Sequence, residues 1–234
     1  MIVLGRRWLV PMTTVGAALI LSFTQGVWAG AVAAVAFLSA MLPRRLLAPL
    51  LLPLLLFAFV VSGLIYHRLA TSIENQDHAF MPVTGRIELW KAGIQMIRQH
   101  PWLGVGPERI AIEFPRLYHG SNLANIYYGH LENDFLQIAA ERGLICFATF
   151  LWFLLEIYAG LFRLLKAADP GERWIPISGM AALTGFLVSG LFEYNFGNSE
   201  VLLLMLFIVA MPFGVFQNEI DRDLYEQRPA EQIG

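Results

Sequence analysis

The chain has 234 residues, of which 57% are hydrophobic and only 15% charged. A soluble domain carries about 25% charged and 45–50% apolar residues, so this balance, with several apolar runs near bilayer length (~20 residues), excludes an ordinary soluble domain and indicates a polytopic membrane protein. The net charge of −2 argues against nucleic-acid binding, and the single cysteine, Cys146, lies in an apolar run, which excludes a disulfide framework or a thiol-based metal site.

Arg6 and Arg7 precede the first apolar stretch and mimic a signal peptide. No small-residue cleavage site leads into a soluble domain, and further membrane segments follow, so that reading is rejected. Residues 8–42 are too long for one span and barely long enough for two. Arg6-Arg7 and Arg44-Arg45 bracket them, and a hairpin puts both pairs on the cytoplasmic side. The expectation is two short helices, roughly 3–23 and 26–42, turning at Thr24-Gln25-Gly26 on the outer face. Residues 46–66 carry no charge and form a third span, with Pro49 and Pro53 near its start, where missing amide donors do least harm.

Residues 66–133 form the one long polar segment, a loop expected on the outer face, which holds all five histidines. Thr84 or Gly85 can start a helix to about Gln99. Ile87, Trp90, Ile94 and Ile97 make an apolar stripe, and Glu88, Lys91, Gln95 and Arg98 take the other face. Such a helix lies on the membrane surface or on the helix bundle. His100-Pro101 ends it, and Gly104-Val105-Gly106-Pro107 makes a tight turn. Residues 108–128 are undecided between elements; Arg109, Arg116, Tyr118, Tyr127 and Tyr128 suit a wet groove facing polar substrate.

Asn133 and Asp134 are good N-caps for a helix running on from Gly143 to Phe162, with Arg163 and Lys166 at its inner end. After an inner turn, residues 174–192 return outward. Ala181, Gly185 and Ser189, four apart, give that span a small-residue face for close helix packing. An outer turn at 193–198 and a last span over 201–216 complete the pattern. The fold expected is an all-α integral membrane protein of six spans. Residues 1–65 hold three of them, 66–133 the loop, 134–217 three more, and 218–234 a cytoplasmic tail.

Chemistry is expected in the loop. Arg86 sits near a helix start, where free amides and the dipole favour anions, and its fork matches two phosphate oxygens. The alternative is a solvated arginine. His130, Glu132 and Asn133 precede a helix that enters the membrane. A histidine near neutral pH, or a partly dehydrated glutamate, can act as a base; alternatively Asn133 or Asp134 caps the helix and the others decorate a loop. Gln25 at the hairpin turn either bonds a substrate headgroup or serves the turn. Glu156 pairs with an inner basic residue, and Glu193 and Glu200 are expected to be solvated. No Gly-rich nucleotide loop and no His-x-x-x-His pair occurs, so an ATP-driven or metal-dependent reaction has no support.

Three stretches then converge: Gly85-Arg86-x-x-x-Trp90; His100-Pro101-Trp102-Leu103-Gly104-Val105-Gly106; and His130-x-Glu132-Asn133-Asp134-Phe135-Leu136-Gln137 with Glu141-x-Gly143-Leu144-Ile145. In that order within one outer loop, and with the turn Ser22-Phe23-Thr24-Gln25-Gly26-Val27-Trp28, they resemble the O-antigen ligase and O-antigen polymerase superfamily. The resemblance implies glycosyl transfer in the bacterial inner membrane, on its periplasmic side, without metal or other cofactor. The donor would be a glycan on a polyprenyl diphosphate, and the acceptor a hydroxyl of lipid A-core, of another glycan or of a protein. Arg86 would steady the departing diphosphate, and His130 or Glu132 would ready the acceptor. Gln25, Arg109, Arg116 and Asn133 would bind substrate. The chain departs from the pattern in three ways. Glu132 stands where family ligases often carry histidine, Gln25 stands where the turn usually has arginine, and family members usually have more than six spans. The chain thus corresponds to a C-terminal half, which implies a truncated or inactive product, or a partner subunit. A non-catalytic membrane component that binds or transports a glycan-lipid is the competing reading.

Overall fold

A computed structural model of the chain describes residues 14, 25–42, 83–118 and 129–226, with side chains within 14, 26–42, 86–118 and 129–217. The expected helices at 3–23 and 46–66 lie outside the described residues, Thr14 excepted. So do His67, His78, His119, Tyr127, Tyr128, the last residues of the tail and the side chain of Gln25.

Among the described residues the fold is all helical. In chain order the helices are α1 (Gln25–Met41), α2 (Val83–Gln99), α3 (Ile110–Leu117), α4 (Asp134–Ala167), α5 (Trp174–Ser189) and α6 (Ser199–Glu226), with a 3-10 turn at Asn195–Gly197 before α6. Among the described residues, two helices can cross a bilayer by length and composition: Asp134–Ala167 and the Ser199–Gln217 part of α6. The helices α1 and α5 are apolar but shorter. Both long helices turn large side chains outward: Leu155, Leu203 and Phe207 are each about two-thirds exposed. Aqueous solvent disfavours so wide an apolar surface, and lipid does not.

Two separate cores hold the described residues together. Leu154 and Leu161 of α4, Met180 and Leu183 of α5, and Met205 and Val209 of α6 form the bundle core. The second core lies under the polar segment and joins Leu89, Ala92 and Met96 of α2, Ile110 and Phe114 of α3, and Leu131 and Ala140. The α2 stripe is therefore shifted from the expected one. Trp90 and Ile97 pack at the edge of this core, but Ile87 and Ile94 are exposed. The helix carries apolar residues on two faces, and Leu89 and Met96, seven apart, face the protein.

The small-residue face of α5 packs on α1. A Cβ on Gly30 would come within 2.4 Å of the Gly185 carbonyl oxygen, and one on Gly185 within 2.9 Å of the Gly30 oxygen. The backbones touch because neither residue has a side chain.

Helix α4 is interrupted at Gly143 (φ 78°, ψ 172°), a backbone region open essentially to glycine alone. The break is filled by the loop after α2. The carbonyls of Ala140 and Glu141, which an unbroken helix would satisfy from residues 144 and 145, instead accept the amides of Val105 and Gly106 at 2.9 Å each. The Leu144 amide, released in exchange, donates to the Pro101 carbonyl at 2.7 Å. A Cβ at Gly143 would meet the Trp102 carbonyl oxygen at 2.1 Å. This clasp unites two of the motif stretches, His100–Gly106 and Glu141–Ile145, as one structural joint. Gly143→Ala is accordingly expected to destabilise the protein by about 1–3 kcal/mol from backbone strain alone, read as a lowered thermal midpoint in detergent. An unchanged midpoint would mean that the joint carries no strain.

The undecided stretch after Glu108 contains α3. Its buried Ile110 and Phe114 are four apart, but Arg109 at its N-cap makes no side-chain cap bond. Helix α5 ends at Ser189, earlier than expected, with Gly190 as C-cap. The last helix runs past residue 216 into the expected tail. Glu156 pairs with Arg163 at 3.9 Å, as the sequence suggested.

Candidate functional site

The stretch 129–134 is held in place by backbone bonds to buried side chains. The Leu131 amide donates to Gln137 Oε1 at 2.8 Å. Asn133 has extended backbone, and its Oδ1 accepts the Leu136 amide at 2.9 Å, which caps α4. Its Nδ2 donates to the Leu191 carbonyl at 2.9 Å. Asn133 thus works as a cap and a tie, with both ends of its amide engaged. The Asp134 amide donates to the Gly190 carbonyl at 2.7 Å, and Asp134 Oδ1 accepts the Phe196 amide at 2.9 Å. The turn at 190–198 is therefore fastened to the stretch that carries His130 and Glu132.

Between these anchors Glu132 takes a left-handed backbone, φ 51°. For a residue other than glycine this costs about 1–3 kcal/mol and persists only when neighbours enforce it, typically at functional sites. In this conformation the Glu132 carboxylate lies beside His130, with His130 Nδ1 3.5 Å from Glu132 Oε1.

Arg86, in the first turns of α2, points at the same place. It is not a solvated arginine. Its Nη1 donates to the Phe192 carbonyl at 3.0 Å, its Nη2 lies 3.6 Å from Glu193 Oε1, and its side chain is 19% exposed. Glu193, expected to be solvated, is instead a wall of the site: it faces Arg86, accepts the Gly26 amide and lies in the field of His130 and Glu132. Sequence reasoning missed it because it stands 107 residues along the chain from Arg86, well beyond any local motif, and its turn carries no signature of its own.

The four groups perturb each other. Burial pushes the His130 imidazole below its ordinary value, while the Glu193 charge pulls it back. Burial pushes Glu132 up, and the Arg86 guanidinium opposes. Glu193 is raised by burial and then by the Glu132 charge, against Arg86, the Gly26 amide and His130. Two carboxylates sharing one guanidinium favour retention of a proton. The site thus holds an imidazole biased toward its neutral form, a guanidinium, and two carboxylates biased toward their protonated forms. An incoming anion meets less repulsion than the formal charges suggest.

Arg109 and Arg116 stand apart on α3, each exposed and paired with Glu113, at 3.7 and 2.9 Å. Gln25 begins α1, one residue before the Gly26 amide that bonds Glu193.

Among the described residues, helices that suit lipid by length and composition and a half-buried ionic cluster at one end of their bundle are the features of a membrane protein. A family model described as O-antigen ligase matches residues 10–151. The chain belongs to that family, whose members are glycan-handling inner-membrane proteins. The match takes in Arg86, His130 and Glu132 and stops before Glu193. No curated protein matches the chain.

Proposed function

We propose that this chain transfers a glycan from a polyprenyl diphosphate to an acceptor hydroxyl on the periplasmic side of the inner membrane. The observation that supports it is the convergence of Arg86, His130, Glu132 and Glu193 in one half-buried cluster. In the reaction the bond between the sugar's anomeric carbon and the phosphate oxygen breaks, and the electron pair leaves with the diphosphate. The acceptor oxygen forms the new bond to that carbon and loses its proton to His130 or Glu132. Negative charge builds on the diphosphate, and Arg86 is placed to steady it. A guanidinium has five N–H donors. Its 3.6 Å approach to Glu193 is an ion pair longer than a hydrogen bond, which leaves donors for phosphate oxygens. Arg109, Arg116 and Gln25 bind the remoter parts of the substrates in this reading, and Asn133 fixes the shape of the loop.

The orientation rests on charge. Arg163, Lys166 and Arg173 cluster about the turn between α4 and α5, at the opposite end of α4 from the site, and basic residues favour the cytoplasmic side. Exposed Ile87 and Ile94 on α2 suit a helix lying on the outer leaflet.

The test is reconstitution. The full chain, in membranes of a cell stripped of its own ligase, should convert a polyprenyl-diphosphate glycan and lipid A-core into modified acceptor and free polyprenyl diphosphate. Donor that is held tightly but never consumed, with glycan, lipid A-core and protein acceptors alike, would make the chain a binding component instead.

A further inference from the structure

Beside the ionic cluster lies a shallow, solvent-open cleft of about 590 Å³, lined by His130, Tyr194, Gly197, Asn198, Ser199 and Glu200. Its size lies within the roughly 300–1,000 Å³ of small-ligand pockets. Of the four cluster residues, His130 alone lines it. Arg86 and Glu132 do not line it, although Glu132 Oε1 lies 3.5 Å from His130 Nδ1. The lining differs in kind from the cluster. None of the six residues carries a permanent positive charge, and Glu200 contributes a carboxylate.

The walls are built rather than incidental. The Tyr194 ring lies directly on Gly197, where a Cβ would come within 2.2 Å of its Cε1. Its hydroxyl is bonded by Arg142, and its ring sits 5.6 Å from that of His130. This fixed ring is the apolar wall. Asn198 Oδ1 accepts the amides of Glu200 and Val201 at 3.1 and 3.3 Å, so the donor it can offer a ligand is Nδ2. Ser199 offers a hydroxyl that can give or accept, and Glu200 accepts only. One apolar face, one amide donor, one hydroxyl and one carboxylate answer the two-sided surface of a pyranose. Hydroxyls need acceptors and donors in alternation, and the C–H face needs an apolar plate. A phosphate, by contrast, would meet the Glu200 carboxylate in a lining that holds no cation of its own, Arg142 being engaged by the Tyr194 hydroxyl.

We propose that this cleft is the acceptor subsite, that it takes a saccharide without phosphate, and that it presents a sugar hydroxyl to His130. The proposal rests on the transfer reading above and adds to it a division of the site by charge. The donor's diphosphate goes to Arg86, the acceptor sugar goes to the cleft, and His130 stands between them as the one residue common to both. Tyr194, Asn198, Ser199 and Glu200 become determinants of acceptor choice.

The experiment measures binding and turnover separately on the full chain in detergent. Saturation-transfer NMR is run with a panel of neutral and amino pyranosides, their 6-phosphates, and a serine-containing peptide. The expected result is binding of one or more unphosphorylated sugars and of no phosphate. Tyr194→Ala, Gly197→Val and the exposed Ser199→Ala should each weaken binding, the first two by about tenfold or more, and Arg86→Ala should leave it intact. Gly197→Val reshapes the cleft by displacing the Tyr194 ring, so the conclusion does not hang on one substitution. Equal binding by wild type and all three cleft variants, no sugar bound, phosphates bound as well as neutral sugars, or preference for the peptide would each overturn the proposal. Failure of the transfer reading looks different. Sugar binding that follows the cleft variants without any turnover removes the reaction and keeps the saccharide site. Turnover whose acceptor KM ignores the cleft variants keeps the reaction and removes the subsite.

Discussion

Arg86→Ala should cost this protein about 10²–10³-fold in transfer rate, the loss typical when one fixed donor to developing negative charge is removed, while its amount in the membrane stays the same. The rate loss follows from placement. The guanidinium is anchored at 3.0 Å on the Phe192 carbonyl and balanced by Glu193 at 3.6 Å, so it needs little reorganisation when charge appears. Survival of the fold follows from the neighbours. Glu132 and Glu193 are both already pushed toward their neutral forms by burial, and Arg86 is the cation that opposes this. With the guanidinium gone they take up protons, so no uncompensated charge is left in the site. Arg86→Lys should recover no more than about a tenth of the activity, because a point charge on a flexible stem cannot hold the Phe192 carbonyl and a phosphate together as a planar fork does. The measurement is released polyprenyl diphosphate per unit of membrane protein. Full activity in Arg86→Ala would remove the diphosphate from this site.

The amino-acid sequence alone marks both Arg86 and the His130 stretch, because helix-start and helix-cap signals are local. Asn133 before an apolar run announces a cap, and the cap is present. Gly104 and Gly106 announce a turn, and both have positive φ. What those glycines serve was hidden, since the clasp with Ala140, Glu141 and Gly143 joins backbone to backbone and leaves no pattern of side chains. The helix α3 was hidden for a related reason: it has eight residues and no side-chain cap, so neither period nor boundary stands out. The buried face of α2 was misplaced because Leu89 and Met96 compete with Ile87 and Ile94 at the same helical spacing, and only the position of Leu131 and Phe114 decides between them. The site itself was legible by half. Arg86, His130 and Glu132 come from one polar segment, whereas Glu193 and Tyr194 come from a short turn whose charged residue reads as surface decoration. Tertiary bonds from Asp134 to Gly190 and Phe196 bring that turn across, and such bonds have no signature along the chain.

The choice between His130 and Glu132 as base has an expected answer in pH dependence. His130 lines the cleft and Glu132 does not, so the imidazole is the group that an acceptor hydroxyl in the cleft would reach. Removing a positioned base costs about 10²–10⁴-fold, and His130→Gln should fall in that range. The sign of the pH effect is set by burial. A histidine held below its ordinary value of about 6.5 keeps its lone pair as the pH falls through that value. The acid limb of wild-type transfer, where the imidazole protonates, should therefore lie below the ordinary histidine value of about 6.5. The Glu193 charge is what holds the His130 value up against burial, so Glu193→Gln should move the acid limb to still lower pH, whatever it does to the plateau by loosening Arg86. In His130→Gln the residual rate should lose this limb altogether. If the limb survives in His130→Gln and disappears in Glu132→Gln, the strained glutamate is the base, and the left-handed backbone at Glu132 acquires a catalytic purpose in place of a positioning one.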